Sequence, residues 1–279
     1  MNLIQAIVLG IVQGLTEFLP ISSSAHVQIA SELMQVPGIS EKNSATTAFI
    51  ATIQLGTEAA VLLYFAKDIW RLLTSFVRGV FSSAIRKTQD FKMATYLVIG
   101  AVPVGIAGLV FKSFIEETVR TLWVISVTLI VFGFVLLISD RIGSKQKEIK
   151  ELNAKSAFGF GLAQMLAVIP GVSRSGASIS FGLFAGFSRT AAARFSFLIG
   201  IPAVLLSGLI EFKDSYQNLD SDLAVGTIVA TATSFLVGYL VIAGLLKYLN
   251  KGSFLPFVIW RIVVGVVLVV LLATGVVAG

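Results

Sequence analysis

Long apolar segments recur along the whole chain and are separated by short polar ones. Six of them approach the roughly 20 residues that a helix needs to cross the hydrocarbon core of a bilayer. The six predicted spans are Ala45 to Ala66, Met93 to Phe111, Leu122 to Ser139, Ala191 to Phe212, Leu223 to Leu246 and Phe254 to Val277. The pattern therefore predicts an all-α, polytopic membrane protein.

Two further apolar regions are interrupted near their middles by proline and hydroxylated residues. The first runs from Leu3 to Leu33 and is broken at Pro20 to Ser24, and the second runs from Ala157 to Phe187 and is broken at Pro170 to Ser175. Proline removes a backbone donor and ends a helix, and each arm is short for a span. Irregular backbone at membrane depth needs protein or a wet cavity around it. Both regions are therefore predicted to be re-entrant helical hairpins.

The distribution of basic residues favours hairpins over full crossings. If both hairpins return to their starting side, fifteen basic residues lie on one face and four on the other, with Arg174 and Arg261 inside the membrane. Such an excess marks the cytoplasmic face. Both termini are therefore predicted to lie outside. The outer face receives the four basic residues Lys42, Lys112, Arg120 and Lys213 and the acidic loop with Asp214, Asp220 and Asp222.

Each half of the chain then consists of one hairpin followed by three spans. Because three is odd, the second half begins from the opposite face, which predicts an inverted-topology repeat. The first repeat covers residues 1–140 and the second covers 156–279, joined by a cytoplasmic linker at 141–155. In this arrangement the two breaks are predicted to meet deep in the bundle.

Composition narrows the function further. Of the 279 residues, 13% are charged, whereas soluble domains average about 25%. The chain has no cysteine and one histidine, His26, which excludes disulfides, thiolate metal sites and multi-histidine metal sites. The basic residues behind the net charge of +6 lie in short loops, so we expect contact with membrane lipids and not with nucleic acid.

Lys67 to Lys92 is predicted to be a cytoplasmic surface segment with three aromatic residues at the interface, Trp70, Phe76 and Phe81.

The first break carries the parts of a nucleophilic site. Polar residues at bilayer depth are costly and by default indicate function. Gln13 and Glu17 are one helical turn apart and share a face that leads to the serines at 22–24, and His26 follows at the start of the next arm. A hydroxyl can attack, an imidazole can relay its proton and a carboxylate can orient that imidazole.

The second break carries an anion-binding group. Arg174 stands between Ser173 and Ser175, and the planar guanidinium fork suits phosphate. Backbone amides at the start of the following helix add donors. Taken singly, serines in apolar helices often bond to the preceding turn, and a lone histidine or a snorkelling arginine is usually structural. Placed together at two converging breaks, these residues favour phosphoryl transfer.

With these residues the chain resembles the undecaprenyl-diphosphate phosphatases of the bacitracin-resistance type over nearly its full length. Their first signature is Glu or Gln, three residues, Glu, and then a Pro-x-Ser-Ser-Thr-Gly-His-like run. It stands here as Gln13, Glu17 and Pro20 to His26. Their second, Pro-Gly-x-Ser-Arg-Ser-x-x-Thr, stands here as Pro170 to Ser178. The departures are serine for threonine at both motifs and Ala25 for a usual glycine.

The resemblance implies an enzyme of the cell membrane that hydrolyses a C55 isoprenoid diphosphate to the monophosphate at the outer face. This reaction would recycle the lipid carrier for cell-wall glycans and confer bacitracin resistance. The rival interpretation is a transporter or flippase of an anionic isoprenoid lipid, because broken helices that meet at midplane are typical of secondary transporters. A Ser–His–Glu set is superfluous for transport and favours the enzyme. Prenyl length and homodimer formation are left open.

The predicted mechanism has Ser23 attack the terminal phosphorus while His26 acts as base or acid, oriented by Glu17, and Arg174 holds the phosphate. Ser22 and His26 remain alternative nucleophiles. The predicted phosphate-binding residues are Ser22, Ser24, Ser173, Ser175, Gly176 and Ser178. The resemblance also implies a divalent cation, Mg²⁺ or Ca²⁺, held by Glu17 with Gln13, and loosely because Gln13 is not acidic. Glu58, in mid-span, is predicted to pair with Arg174 or Arg261 or to be protonated.

Overall fold

The chain is almost entirely helical in the residues that the structure, a computed structural model, describes. These are residues 1–36, 44–110, 121–215 and 221–277, with the side chains of 44–48, 109, 203–215 and 221–224 excepted. The helices are α1 Leu3–Phe18, α2 Ser23–Leu33, α3 Ser44–Tyr64, α4 Ala66–Phe81, α5 Ser83–Arg86, α6 Gln89–Val110, α7 Leu122–Ile142, α8 Ala154–Met165, α9 Arg174–Phe184, α10 Arg189–Ser215, α11 Ser221–Leu249 and α12 Leu255–Ala273.

Both predicted helix breaks are present. α1 ends at Phe18 because Leu19 is extended, with φ −66° and ψ 139°, as expected for a residue that precedes a proline. Ile169, before Pro170, is extended for the same reason. In each region the two helical arms pack against each other. The prediction of two helix–break–helix units is therefore confirmed.

The predicted spans coincide with long helices. Among the described side chains, four helical stretches are long and apolar enough to cross a bilayer, namely Gln89–Gly108, Leu122–Ile142, Val225–Leu249 and Leu255–Ala273. α3 passes the same test only together with α4, and the pair is bent by 76° at their junction. The protein is thus a multi-pass membrane protein.

The sharp bend places α4 as a surface helix, as predicted for this segment. Trp70 is 70% exposed and Phe81 is 86% exposed, which suits an amphipathic helix lying in the membrane interface. Phe76 is partly buried, and its ring stacks on that of Phe91 in α6 with the centroids 5.7 Å apart.

The loops predicted to share the basic face contact one another. Arg194 at the start of α10 forms an ion pair with Asp68 of α4, and Gln89 donates a hydrogen bond to the Lys150 carbonyl of the linker (2.8 Å). These segments therefore lie at one end of the bundle, as hairpins require. Three basic residues predicted for the opposite face (Lys42, Lys112 and Arg120) and Asp220 lie outside the described residues, as do the side chains of Lys213, Asp214 and Asp222.

Helices from the two halves of the chain pack on one another. α1 and α3 pack on α11, α8 packs on α6, α12 packs on α7, and α10 packs on α3. Close approach depends on glycine: a Cβ at Gly10 would lie 2.5 Å from the Ala230 carbonyl oxygen, and one at Gly161 would lie 2.2 Å from that of Gly100. Such contacts are usual between membrane helices. The first arm of each hairpin is thereby held on a long helix of the other half.

Candidate active site

The two breaks, here called the first elbow (residues 19–22) and the second elbow (residues 169–173), share an unusual backbone geometry. Ser22 has φ 76° and Ser173 has φ 73°, in the left-handed region that non-glycine residues enter at some cost. Each is followed directly by the first residue of a helix, Ser23 of α2 and Arg174 of α9. Ser23, the predicted nucleophile, and Arg174, the residue predicted to hold the phosphate, therefore occupy equivalent positions.

Hydroxyl pairs repeat the same correspondence. Ser22 Oγ lies 3.3 Å from Ser24 Oγ, and Ser173 Oγ lies 3.2 Å from Ser175 Oγ. When Pro20 is aligned with Pro170, Ser22 falls on Val172 and not on its structural equivalent, Ser173. The second elbow is one residue longer than the first, because it contains Gly171.

The two elbows meet, as predicted. Arg174 Nη2 donates to Glu17 Oε1 at 2.6 Å, and the Ser175 hydroxyl donates to the Leu19 carbonyl at 3.2 Å. Both carboxylate partners of Arg174 are buried, since Glu17 is 7% exposed and Glu58 is 1% exposed. The contact is therefore a buried charge pair between two halves of the chain.

Glu17 is the group that engages the Ser23 hydroxyl. Ser23 Oγ donates to Glu17 Oε2 at 2.6 Å, and Gln13 Nε2 donates to the same oxygen at 2.9 Å. Gln13 also contacts Thr57 Oγ1 at 3.4 Å. A carboxylate in this position can accept the proton of an attacking hydroxyl. The amide of Gln13 presents its NH₂ group to Glu17, and cation binding by Gln13 stays a prediction.

His26 has different partners from those predicted. Its Nδ1 lies 2.7 Å from the Ser22 carbonyl oxygen, and its Nε2 accepts a hydrogen bond of 2.7 Å from the indole N–H of Trp260. A carbonyl can only accept, so Nδ1 carries the proton. The predicted Ser23–His26–Glu17 order is corrected to a direct Ser23–Glu17 contact, because the imidazole folds back onto the first turn of α2.

Trp260 was not among the residues that the sequence singled out, because an interfacial tryptophan carries no signal of a particular partner. We expect Trp260→Phe, which keeps the ring and removes the N–H, to lower kcat of the phosphoryl transfer predicted from the sequence by about fivefold, the value of one hydrogen bond. KM should change little, since His26 positions the elbow and not the substrate. Trp123→Phe, on the exposed side of α7, is the control. Equal kcat in both variants would remove Trp260 from this role.

Arg261 connects the two elbows through their backbone carbonyl groups. It is fully buried, and its guanidinium donates to carbonyl oxygens of Pro20 (3.0 Å), Gly171 (2.9 Å) and Val172 (3.1 Å). Further bonds reach the carbonyls of Thr128 and Leu129 in α7. Arg174 and Arg261 were the two arginines predicted as partners for Glu58. Arg261 binds backbone carbonyls instead, and the pairing with Arg174 is confirmed by a distance of 3.1 Å between Arg174 Nη2 and Glu58 Oε1.

A small cavity lies where these charges meet. Its volume is ≈ 10 Å³ and its lining includes Glu17, Glu58, Arg174, Ser175 and Ser196. This is room for about one water-sized particle. Glu58 Oε2 has no hydrogen-bond partner among the described residues.

The other predicted phosphate-binding residues take varied positions. Ser175 lines the cavity, whereas the Gly176 N–H donates to Ser173 Oγ (3.1 Å) and so caps α9. Ser178 is fully buried, and its hydroxyl donates to the Arg174 carbonyl. Ser24 is exposed. Their contact with phosphate stays a prediction.

An apolar pocket adjoins the first elbow. It has a volume of ≈ 320 Å³ and lies between α11 and α12, and its lining residues are Leu19, Val241, Gly244, Leu245, Tyr248, Pro256 and Phe257. Leu19 therefore links it to the polar cavity through the Ser175 bond.

Comparison with known proteins identifies the family of this chain. The model of the family described as bacitracin resistance protein BacA matches residues 6–267. The chain belongs to the BacA family. A Nocardioides relative named undecaprenyl-diphosphatase is 48% identical over 99% of both chains. Relatives of the same name include one from Thermobifida fusca, 45% identical over 99% of this chain and 92% of its own length, and one from Micrococcus luteus, 43% identical over the full length of both. Both elbows lie inside the part matched by the BacA model.

Proposed function

We propose that the protein is an undecaprenyl-diphosphatase that hydrolyses the lipid diphosphate to the monophosphate and inorganic phosphate, with Ser23 as nucleophile. One observation carries this assignment of the site: Glu17 contacts the Ser23 hydroxyl through one carboxylate oxygen and Arg174 through the other. Base, nucleophile and phosphate-binding group thus form one continuous chain of contacts. The names of the relatives supply the substrate.

In the first step, Ser23 Oγ forms a bond to the terminal phosphorus, and the bond from that phosphorus to the bridging oxygen breaks. The bridging oxygen leaves with the electron pair as part of undecaprenyl monophosphate. The hydroxyl proton of Ser23 passes to Glu17 Oε2, which already accepts its hydrogen bond, and Glu17 then gives it to the departing monophosphate.

In the second step, water hydrolyses the phosphoserine. Glu17 takes a proton from the attacking water and returns it to Ser23 Oγ as inorganic phosphate leaves. Arg174 supplies donors to the phosphate oxygens, whose charge is spread widely in such transition states. Because Glu17 returns the proton to the departing monophosphate, His26 is not needed as an acid. In this mechanism His26 is a positioning residue that holds the Ser22 carbonyl.

The residues present fit a divalent cation such as Mg²⁺ or Ca²⁺. The cavity is lined by carboxylates, and one buried carboxylate oxygen has no partner among the described residues. Mg²⁺ commonly binds through one or two carboxylates together with substrate phosphates and water. Glu17 would help to hold the cation, which would offset the negative charge of the diphosphate.

The proposal includes an orientation of the protein in the membrane. The two halves form an inverted repeat, supported by the matching Ser22 and Ser173 geometry and by the packing of each hairpin on the other half. Both termini lie outside and the site opens to the outer face, as the loop charges indicate. The isoprenoid chain begins in the apolar pocket at Leu19.

The decisive test is phosphate release by the purified protein in detergent from undecaprenyl diphosphate. We expect release of inorganic phosphate, with farnesyl diphosphate as a second substrate to measure the preference for chain length. A flippase would bind the lipid and release no phosphate. No release under any divalent cation tested would overturn the proposal.

Trapping the intermediate tests the nucleophile separately. Acid quenching during turnover should leave a phosphate on the peptide that contains Ser23, located by mass spectrometry. Phosphate on Ser22 or His26 would keep the enzyme and replace the nucleophile.

A further inference from the structure

Glu58 is a buried carboxylate for which the signature motifs provide no role. It lies in α3, outside both elbows, and is 1% exposed. A carboxylate so buried needs a counter-charge, a proton or a cation. Its Oε1 lies 3.1 Å from Arg174 Nη2, while its Oε2 has no partner in the described part of the chain. One of the two carboxylate oxygens of Glu58 is therefore available to bind a ligand.

The same nitrogen of Arg174 contacts both carboxylates. Arg174 Nη2 lies 2.6 Å from Glu17 Oε1 and 3.1 Å from Glu58 Oε1. One positively charged nitrogen thus sits between two carboxylate oxygens. With both carboxylates ionised, their charge exceeds that of the guanidinium by one unit. This position is one that a small cation could occupy, and the adjoining cavity has room for one water-sized particle.

The geometry points to Glu17 and Glu58 as the carboxylate pair that holds the divalent cation, with Arg174 occupying the cation's position in the absence of substrate. Glu58 then supplies the second carboxylate that Gln13 lacks. This inference rests on the proposed function only in taking the elbows as the diphosphate site.

The energetics follow from the burial of the pair. When phosphate draws Arg174 away, two buried carboxylates are left without their counter-charge, which is strongly unfavourable. A divalent cation bound by carboxylate and phosphate oxygens removes that penalty. Cation and diphosphate are therefore expected to bind together, and Arg174 competes with the cation when no diphosphate is present.

The competition predicts that removing the arginine improves metal binding. We expect tag-free Arg174→Met protein, without substrate, to bind Mn²⁺ at least about tenfold more tightly than wild type, because no guanidinium has to be displaced. Free Mn²⁺ is counted by its electron paramagnetic resonance signal. Adding Glu58→Gln to Arg174→Met should return the affinity to the wild-type value. Equal affinities in the single and double variants would overturn the assignment of Glu58.

Arg189→Met is the matched control. Arg189 pairs with Asp140 at 2.6 Å, also partly buried, but only one carboxylate is involved. Its removal should not increase Mn²⁺ affinity, and a gain equal to that of Arg174→Met would show that any freed carboxylate suffices.

A second measurement keeps Arg174 in place, in case Arg174→Met does not fold. At millimolar concentration Mn²⁺ should outcompete Arg174, so it should raise the thermal unfolding midpoint of wild type and leave that of Glu58→Gln unchanged, since a ligand that binds only the folded state stabilises it. Equal midpoint shifts in both proteins would contradict the inference. Neither readout involves turnover, so phosphate release with no Mn²⁺ effect would leave the proposed function standing and this inference refuted.

Discussion

Ser23→Ala should lower kcat for undecaprenyl diphosphate by about 10³-fold or more, the scale seen when a covalent nucleophile is removed. The expected loss is large because no other hydroxyl contacts Glu17 among the described residues. The fold should persist, since Ser23 is only partly buried and the left-handed conformation belongs to Ser22. Phosphate release by the purified variant is the measurement.

Ser31→Ala is the matched control for this substitution. Ser31 lies in the same helix, α2, and its hydroxyl donates to the Gln28 carbonyl of that helix at 2.8 Å. This variant should retain wild-type kcat. A Ser23→Ala enzyme within tenfold of wild type would assign the attack to another group, and Ser22→Ala would then be the next variant to measure.

Arg261→Met should strongly destabilise the folded protein. The elbow carbonyls of Pro20, Gly171 and Val172 would lose their shared donor inside the bundle, and each buried unsatisfied group costs about 1–3 kcal/mol. A loss of about 3–5 kcal/mol corresponds to a thermal midpoint lower by roughly 6–20 °C. Thermal unfolding in detergent, followed by circular dichroism, measures it.

Two further variants separate the effect of the hydrogen bonds of Arg261 from the effect of its charge. Arg78→Met removes an exposed arginine from the surface helix α4 and should leave the midpoint unchanged. Arg261→Lys keeps the charge but concentrates its donors at one point, so it should recover only part of the lost stability. Full recovery with lysine would show that the charge matters and the spread of donors across both elbows does not.

Local rules account for much of what the sequence predicted about the fold. Leu19 and Ile169 leave the helical conformation because each precedes a proline. Helix length and loop charge depend on the immediate stretch of chain, so the long helices and the shared end of the basic loops were predictable. The starts of the second arms were predicted too late, because the predicted breaks extend to Ser24 and Ser175, whereas α2 begins at Ser23 and α9 begins at Arg174.

Partner choice at the site was less predictable. The meeting of the two breaks was predicted from the sequence, but the contact of Glu17 with Arg174 and the pairing of Ser23 with Glu17 in place of His26 were not. His26 binds Trp260, which is 234 positions away in the chain, and no local pattern specifies such a partner.

The sequence by itself determined that this is a multi-pass helical protein with two polar breaks and which side chains stand at them, because helix ending and hydrophobic length are local properties. Only the tertiary structure decided that Glu58 shares Arg174 with Glu17 and that Arg261 holds both elbows by their carbonyls. Those choices depend on how helices from distant parts of the chain pack, and on which buried polar atoms that packing leaves without a partner.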